Sequence, residues 1–477
     1  MSRRAEGGEV RAAARRGAVW TVALAVASAV CSTPALAHAG SLAGSLRSVP
    51  APFWLVVVSG GGVVCVSFLL SAFVTDDETL DAFGRAGVRV GRIAGGVGVE
   101  AAEAALRLLG IAALALVVAF GLFGPPVGIA NLGVLLVWVG WWAGFTMATY
   151  LVGNAWPLVN PWRTLGAALR SRFEGRWGLP RPYPDRLGSW PSVVGLLGLV
   201  WLEVVSPLAA DPRALAVVVV VYSLLTVGGA LVYGDAWFRR ADPVARVFRL
   251  YGLLAPVRRI DGGGLSISIP GAGLARTRER LGADDVAFVV ALLWVTTFDG
   301  LVVTVAWGRV LDAAAPAPAW LANLVGIVAG FLVFVGGYRL AASVARGTAD
   351  TYVTVGFVAG WFAPALVPIA AGYHLAHFLG YVVGLAPAFV AVAASPLSPP
   401  ANPSVLVVPA WFGGLQLAFV VLGHLLSVWV AHARAFDLFP GRLQPLRSEY
   451  PFVAVTVGYT MASLWVVAQP AVGGVAG

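Results

Sequence analysis

Along the chain, apolar runs of membrane-spanning length alternate with short connectors that carry most of the polar residues. A helix rises about 1.5 Å per residue and needs about 20 apolar residues to cross a hydrocarbon layer roughly 30 Å thick. On that criterion ten spans are predicted, at approximately 53–74, 106–123, 131–152, 191–209, 213–233, 286–308, 320–338, 356–392, 408–431 and 451–469. The eighth is long and interrupted by prolines. The fold class this pattern predicts is all-α, a polytopic transmembrane helical bundle forming a single domain over residues 40–477.

Ahead of the first span, residues 1–39 have the layout of a secretory signal. Arg3, Arg4, Arg11, Arg15 and Arg16 precede an apolar core, AVWTVALAVASAV, and small residues follow at cleavage spacing in STPALAHAG. Cleavage after Ala37 makes His38 the new N-terminus, whereas cleavage after Ala39 discards it.

Two connectors are long enough to hold structure of their own. In 154–190, Asn160 and Pro161 can open a short interfacial helix carrying Arg163, Arg170 and Arg172 near the lipid headgroups. In 234–285, DGGG turns the chain and LSISIP alternates as a short strand does. The glycines lack the GK[ST] ending of a phosphate loop, so they are read as turn residues. The segment ASPLSPPANPSVLV, 394–407, is uncharged and Pro-rich and is expected to run extended over the outer surface.

Composition agrees with the pattern: the 477 residues are 59% hydrophobic and 12% charged, and mean hydropathy is +0.84. A soluble domain has about 25% charged residues. The net charge of +9 is explained by topology. All 32 basic residues are arginine, and with the mature N-terminus outside they gather in the connectors assigned to the cytoplasm. Those connectors hold Arg85, Arg89 and Arg92, six arginines from Arg163 to Arg186, nine from Arg239 to Arg280, then Arg339, Arg346, Arg434, Arg442 and Arg447. The outer connectors hold Arg47, Arg213 and Arg309. This predicts a multi-pass cell-membrane protein with both mature ends outside, whose partners are the lipid bilayer and a small apolar or ionic substrate, with no nucleic acid. Cys31 and Cys65 are the only cysteines, which excludes a disulfide framework, a four-cysteine zinc site and an iron–sulfur cluster.

Ionisable residues inside spans are functional candidates, because burying them in hydrocarbon costs several kcal/mol unless a partner or water compensates. The candidates are Glu203 in GLVWLEVVSP, Asp299 in VTTFDGLVV, His374 and His377 in GYHLAHFLG, and His424 in VVLGHLLSV. Counted by helix rise, Glu203, Asp299, His374 and His377 share one layer, with His424 and His432 nearer the cytoplasm. His374 and His377, three apart, share a helix face and can hold one ion. With Asp299 and Glu203 they form a candidate site for zinc, copper or iron, and a freed His38 can reach it from outside. The same residues can also serve only as hydrogen-bonding partners between helices.

NPWR (160–163), PYPDRLGSWPSVVGL (182–196), DPRALAV (211–217), TTFDG (296–300), YRLA (338–341), LVPIAAGYHLAHF (366–378), GHLLSVWVAHARA (423–435) and RSEYPFVAVTVGYT (447–460) together carry a resemblance. In these stretches the chain resembles the multi-span membrane proteins labelled fenitrothion hydrolase. The resemblance implies hydrolysis of an organophosphorus triester at an aryl ester bond, and its firm histidine matches His377. On the metal-hydrolase reading, His374, His377 and Asp299 are ligands and Glu203 is a base or supports them. The competing reading is a transporter or metal-handling protein in which Asp299, Glu203 and the proline-broken span line a pathway. A haem site shared by His377 and His424 suffers from their different depths.

Overall fold

The computed structural model describes residues 52–75, 87–92, 96–173, 180–260, 264–277, 281–409 and 411–469. His38 and the rest of the proposed signal lie outside the described residues. In chain order the elements are α1 (Phe53–Ser71), β1 (Gly87–Arg92), α2 (Val97–Phe123), α3 (Leu132–Leu151), α4 (Trp156–Val159), α5 (Pro161–Phe173), α6 (Trp190–Val205), α7 (Pro212–Tyr233) and α8 (Pro243–Leu254). After these come β2 (Val257–Ile260), β3 (Gly264–Ser268), α9 (Ala272–Arg276), α10 (Ala283–Val302), α11 (Val305–Ala313), α12 (Ala319–Thr348), α13 (Val355–Phe362), α14 (Val367–Ala394), α15 (Phe412–Leu438) and α16 (Leu443–Ala468). The protein is an all-α polytopic helical bundle, and among the described residues nine helical segments are long and apolar enough to cross a membrane.

Short polar residues in front of prolines start several of these helices. Asp211 accepts hydrogen bonds from the N–H groups of Arg213 and Ala214, and Asp242 does the same for Val244 and Ala245. Asn160 accepts from Arg163 N. In each case the side chain satisfies an orphan N–H of the first turn while proline fills a position that needs no donor.

The fourth predicted span, 191–209, is the 16-residue helix α6, which stops at Val205 before Ser206 and Pro207. Proline disfavours helical geometry in the residue before it and supplies no N–H, so the apolar run outlasts the helix. The sixth is also shorter than expected: α10 ends at Val302, and Thr304 caps a separate α11 by accepting from Trp307 N. The eighth is broken as its prolines suggest, with a 3₁₀ turn over Ala363–Leu366 joining α13 to α14. LSISIP supplies β3, which pairs antiparallel with β2 and with β1 in a three-stranded sheet of order β1-β3-β2.

At the centre stands α10, buried along 78% of its most apolar window against 11% for α2 and 17% for α12. Its wall of Phe288, Leu292, Leu293 and Phe298 packs into one large core with α14 and α6. A close helix crossing joins α14 to α15 through Gly372 and Gly423. A Cβ on Gly372 falls 2.7 Å from the Phe419 carbonyl oxygen, and one on Gly423 falls 2.6 Å from that of Pro368. Those neighbours are backbone and cannot swing aside, so alanine at either position forces the helices apart. Gly423→Ala is expected to cost about 1–3 kcal/mol, read as an earlier thermal unfolding midpoint in detergent, and an unchanged midpoint refutes the crossing.

Candidate functional site

Between α2, α3, α6, α7, α8, α10 and α14 lies a cavity of about 450 Å³, in the range of small-molecule sites. Most of its wall is aliphatic or aromatic. The exceptions cluster: Glu203, Thr296, Asp299, His374 and His377 all line it. The four residues assigned to one layer by counting helix rise thus meet at one cavity, and His424 and His432 do not line it.

Within that cluster the contacts are specific. His377 Nε2 on α14 lies 3.3 Å from Asp299 Oδ2 in the last turn of α10, and both side chains are largely buried. Thr296 and Thr297 turn their hydroxyls back to the carbonyls of their own helix, Thr296 to Leu292 and Leu293, Thr297 to Leu293. Glu203 is buried in the last turn of α6.

His374 has both ring nitrogens engaged, Nδ1 with the Tyr150 hydroxyl at 3.1 Å and Nε2 with the Trp142 carbonyl oxygen at 3.2 Å. A carbonyl only accepts, so Nε2 carries the proton and Tyr150 donates to Nδ1. Trp142 belongs to a π-helical stretch, Leu136–Phe145, within α3. Such wide turns are frequent at functional sites.

A metal ligand needs a bare nitrogen aimed at the ion. His374 offers none in this arrangement, and among the described residues no group of three or more His, Cys, Asp or Glu side chains is placed to hold a metal. The donor set therefore does not fit a shared zinc, copper or iron ion between His374 and His377. Helix spacing correctly puts the two histidines near each other, but the turn of each ring is set by partners on α3 and α10 that spacing does not reveal.

Three residues outside the expected site emerge from the packing. Tyr150 and Trp142 hold His374, and Glu449 forms a second buried carboxylate–histidine pair with His432. Glu449 falls just ahead of the apolar run at 451–469, but α16 begins at Leu443 and carries it into the bundle. Comparison of the chain with family models, with curated proteins and with solved structures gives no match in any of the three.

Proposed function

We propose that the protein hydrolyses a small, largely apolar ester within the membrane, an organophosphorus triester being the substrate class implied by the sequence resemblance. The observation that carries this reading is the His377–Asp299 pair at the polar end of the apolar cavity. A neutral phosphotriester partitions into lipid and needs an apolar chamber with one acid–base group in it. When His377 donates Nε2–H to Asp299, its lone pair is on Nδ1, and the carboxylate orients the ring and stabilises the imidazolium.

In the reaction His377 removes a proton from water as the hydroxyl oxygen attacks phosphorus. The phosphorus–aryloxy bond breaks, and the imidazolium returns the proton to the departing phenolate, giving a diester and a phenol. Glu203 lies in the same wall as a second proton acceptor.

Purified protein in detergent is expected to release nitrophenol from a neutral dialkyl nitrophenyl phosphotriester, with activity that survives a chelator. His377→Gln and Asp299→Asn should each lower kcat by at least roughly a hundredfold. No turnover by a folded wild-type protein, or turnover indifferent to both substitutions, defeats the enzyme reading. The alternative is passage of a small molecule through the same cavity, favoured by the break at Ala363–Leu366 in a spanning segment beside the site. Flux into liposomes then becomes the measurement.

A further inference from the structure

Four side-chain donors on residues that line the cavity meet no hydrogen-bond partner in the protein: the Tyr251 hydroxyl and the indole N–H groups of Trp138, Trp141 and Trp156. Tyr251, Trp138 and Trp156 are 1%, 8% and 5% exposed. Native proteins leave few buried polar groups unpaired, because each one forfeits its hydration without return. Four around one cavity call for a common explanation.

Their neighbours do not supply it. The Tyr251 ring on α8 is centred 6.1 Å from the His374 ring, but the two nitrogens of that histidine are engaged by Tyr150 and the Trp142 carbonyl. Trp138 stands one turn ahead of Trp142 on α3, and Trp141 and Trp156 pack with ring centres 5.8 Å apart. Asp299, the carboxylate nearest in chemistry to an acceptor for them, faces His377. An indole N–H only donates, and a phenol keeps its proton at neutral pH, so the wall presents donors in excess. Their complement is an acceptor. It has to be uncharged, since a wall this apolar penalises a bare charge.

We infer that the cavity recognises its neutral occupant by an acceptor oxygen, phosphoryl or carbonyl, held chiefly by the Tyr251 hydroxyl, and discriminates against molecules of the same shape that have none. This rests on the reading of the cavity as the site of a neutral substrate, and adds the groups that read its polar end. Tyr251 leads because its hydroxyl proton rotates toward an incoming acceptor, whereas an indole N–H is fixed in the plane of its ring. A site built of donors rejects the analogue that leaves them unpaired far more strongly than an apolar pocket rejects a missing methylene.

Two neutral probes of similar shape, neither of which can be hydrolysed, test it: triphenylphosphine oxide, which has a strong acceptor oxygen, and triphenylmethane, which has no acceptor. Binding is measured by equilibrium dialysis on the full chain in nanodiscs, with partition into empty nanodiscs subtracted, and phosphorus NMR follows the oxide. The expected result is one saturable oxide site per chain, roughly tenfold or more tighter than triphenylmethane. The bound phosphorus resonance should lie downfield of oxide dissolved in lipid, as hydrogen bonding to the oxygen requires. Tyr251→Phe should weaken the oxide roughly fivefold and move its resonance back upfield, while leaving triphenylmethane binding unchanged. Because the hydroxyl has no partner in the protein, the variant should unfold no earlier than wild type. Equal affinity for the two probes overturns the inference and leaves the cavity reading standing. So does a Tyr251→Phe variant that changes neither the oxide affinity nor its resonance. If neither probe saturates, the cavity reading fails as well. Oxide binding as expected, without turnover of the nitrophenyl triester, upholds the inference and defeats the hydrolase reading alone.

Discussion

Arg434→Leu is expected to destabilise the protein by about 3–5 kcal/mol, the range for stranding the partners of a buried charge. Arg434 is fully buried on α15. Its Nε donates to the Trp361 carbonyl at 2.5 Å, and one terminal nitrogen donates to the carbonyls of Leu274 at 2.9 Å and Thr277 at 2.8 Å. The guanidinium also lies 4.5 Å from the centre of the Trp361 ring, whose indole N–H returns a bond to the Arg434 carbonyl. One side chain thus fastens the end of α13 and the segment around α9 to the bundle. Leucine fills the volume but leaves three carbonyls without these donors. Arg434→Lys keeps the charge, yet a single ammonium cannot reproduce the planar fork, so it should fall between leucine and wild type. Chemical unfolding in detergent gives the magnitude. Limited proteolysis gives the place: cleavage near 264–277 should accelerate before the spans unfold. A loss below about 1 kcal/mol, with that segment still protected, shows that the three carbonyls find other donors.

Arg434 marks where the sequence stops being readable. The spans are legible because length and hydropathy suffice to define them, and nine of the ten expected appear as helices of spanning length among the described residues. Counting a constant rise per residue groups Glu203, Asp299, His374 and His377, and all four line one cavity. Rotation about the helix axis is not legible. The spanning helices are apolar on nearly every face, so periodicity does not say which face turns inward. That is why the Tyr150–His374 contact and the engagement of both His374 nitrogens come only from the packing. The buried positions of Arg434 and Glu449 are hidden for a related reason: hydropathy ends a span at its first charges, whereas α15 and α16 continue past them inside the protein. The pairing of β1 with β3 is a third kind of omission, joining Val88 to Ile267 across a separation that local alternation cannot bridge.

The second large effect is expected at Glu449. His432 Nδ1 lies 3.1 Å from both carboxylate oxygens of Glu449, its Nε2 lies 2.8 Å from the Val74 carbonyl, and both side chains are fully buried. Because the Val74 oxygen only accepts, Nε2 carries a proton. The pair then holds two protons in all, either as imidazolium and carboxylate or as neutral imidazole and carboxylic acid. Glu449→Leu removes the partner of Nδ1 in a place water does not reach and should cost about 3–5 kcal/mol. Glu449→Gln keeps an amide N–H that can donate to a bare Nδ1, so if the pair is neutral the cost should drop to about 1 kcal/mol. If the pair is ionic, glutamine forces His432 to give up its charge, and its cost should approach that of leucine. The His432→Leu/Glu449→Leu double variant should be more stable than the sum of the two single losses predicts, because it strands the Val74 carbonyl alone. Strict additivity means that the two residues act separately. Coupling of 1 kcal/mol or more, on the order expected for residues in contact, makes them one latch that holds the end of α1 against α15 and α16.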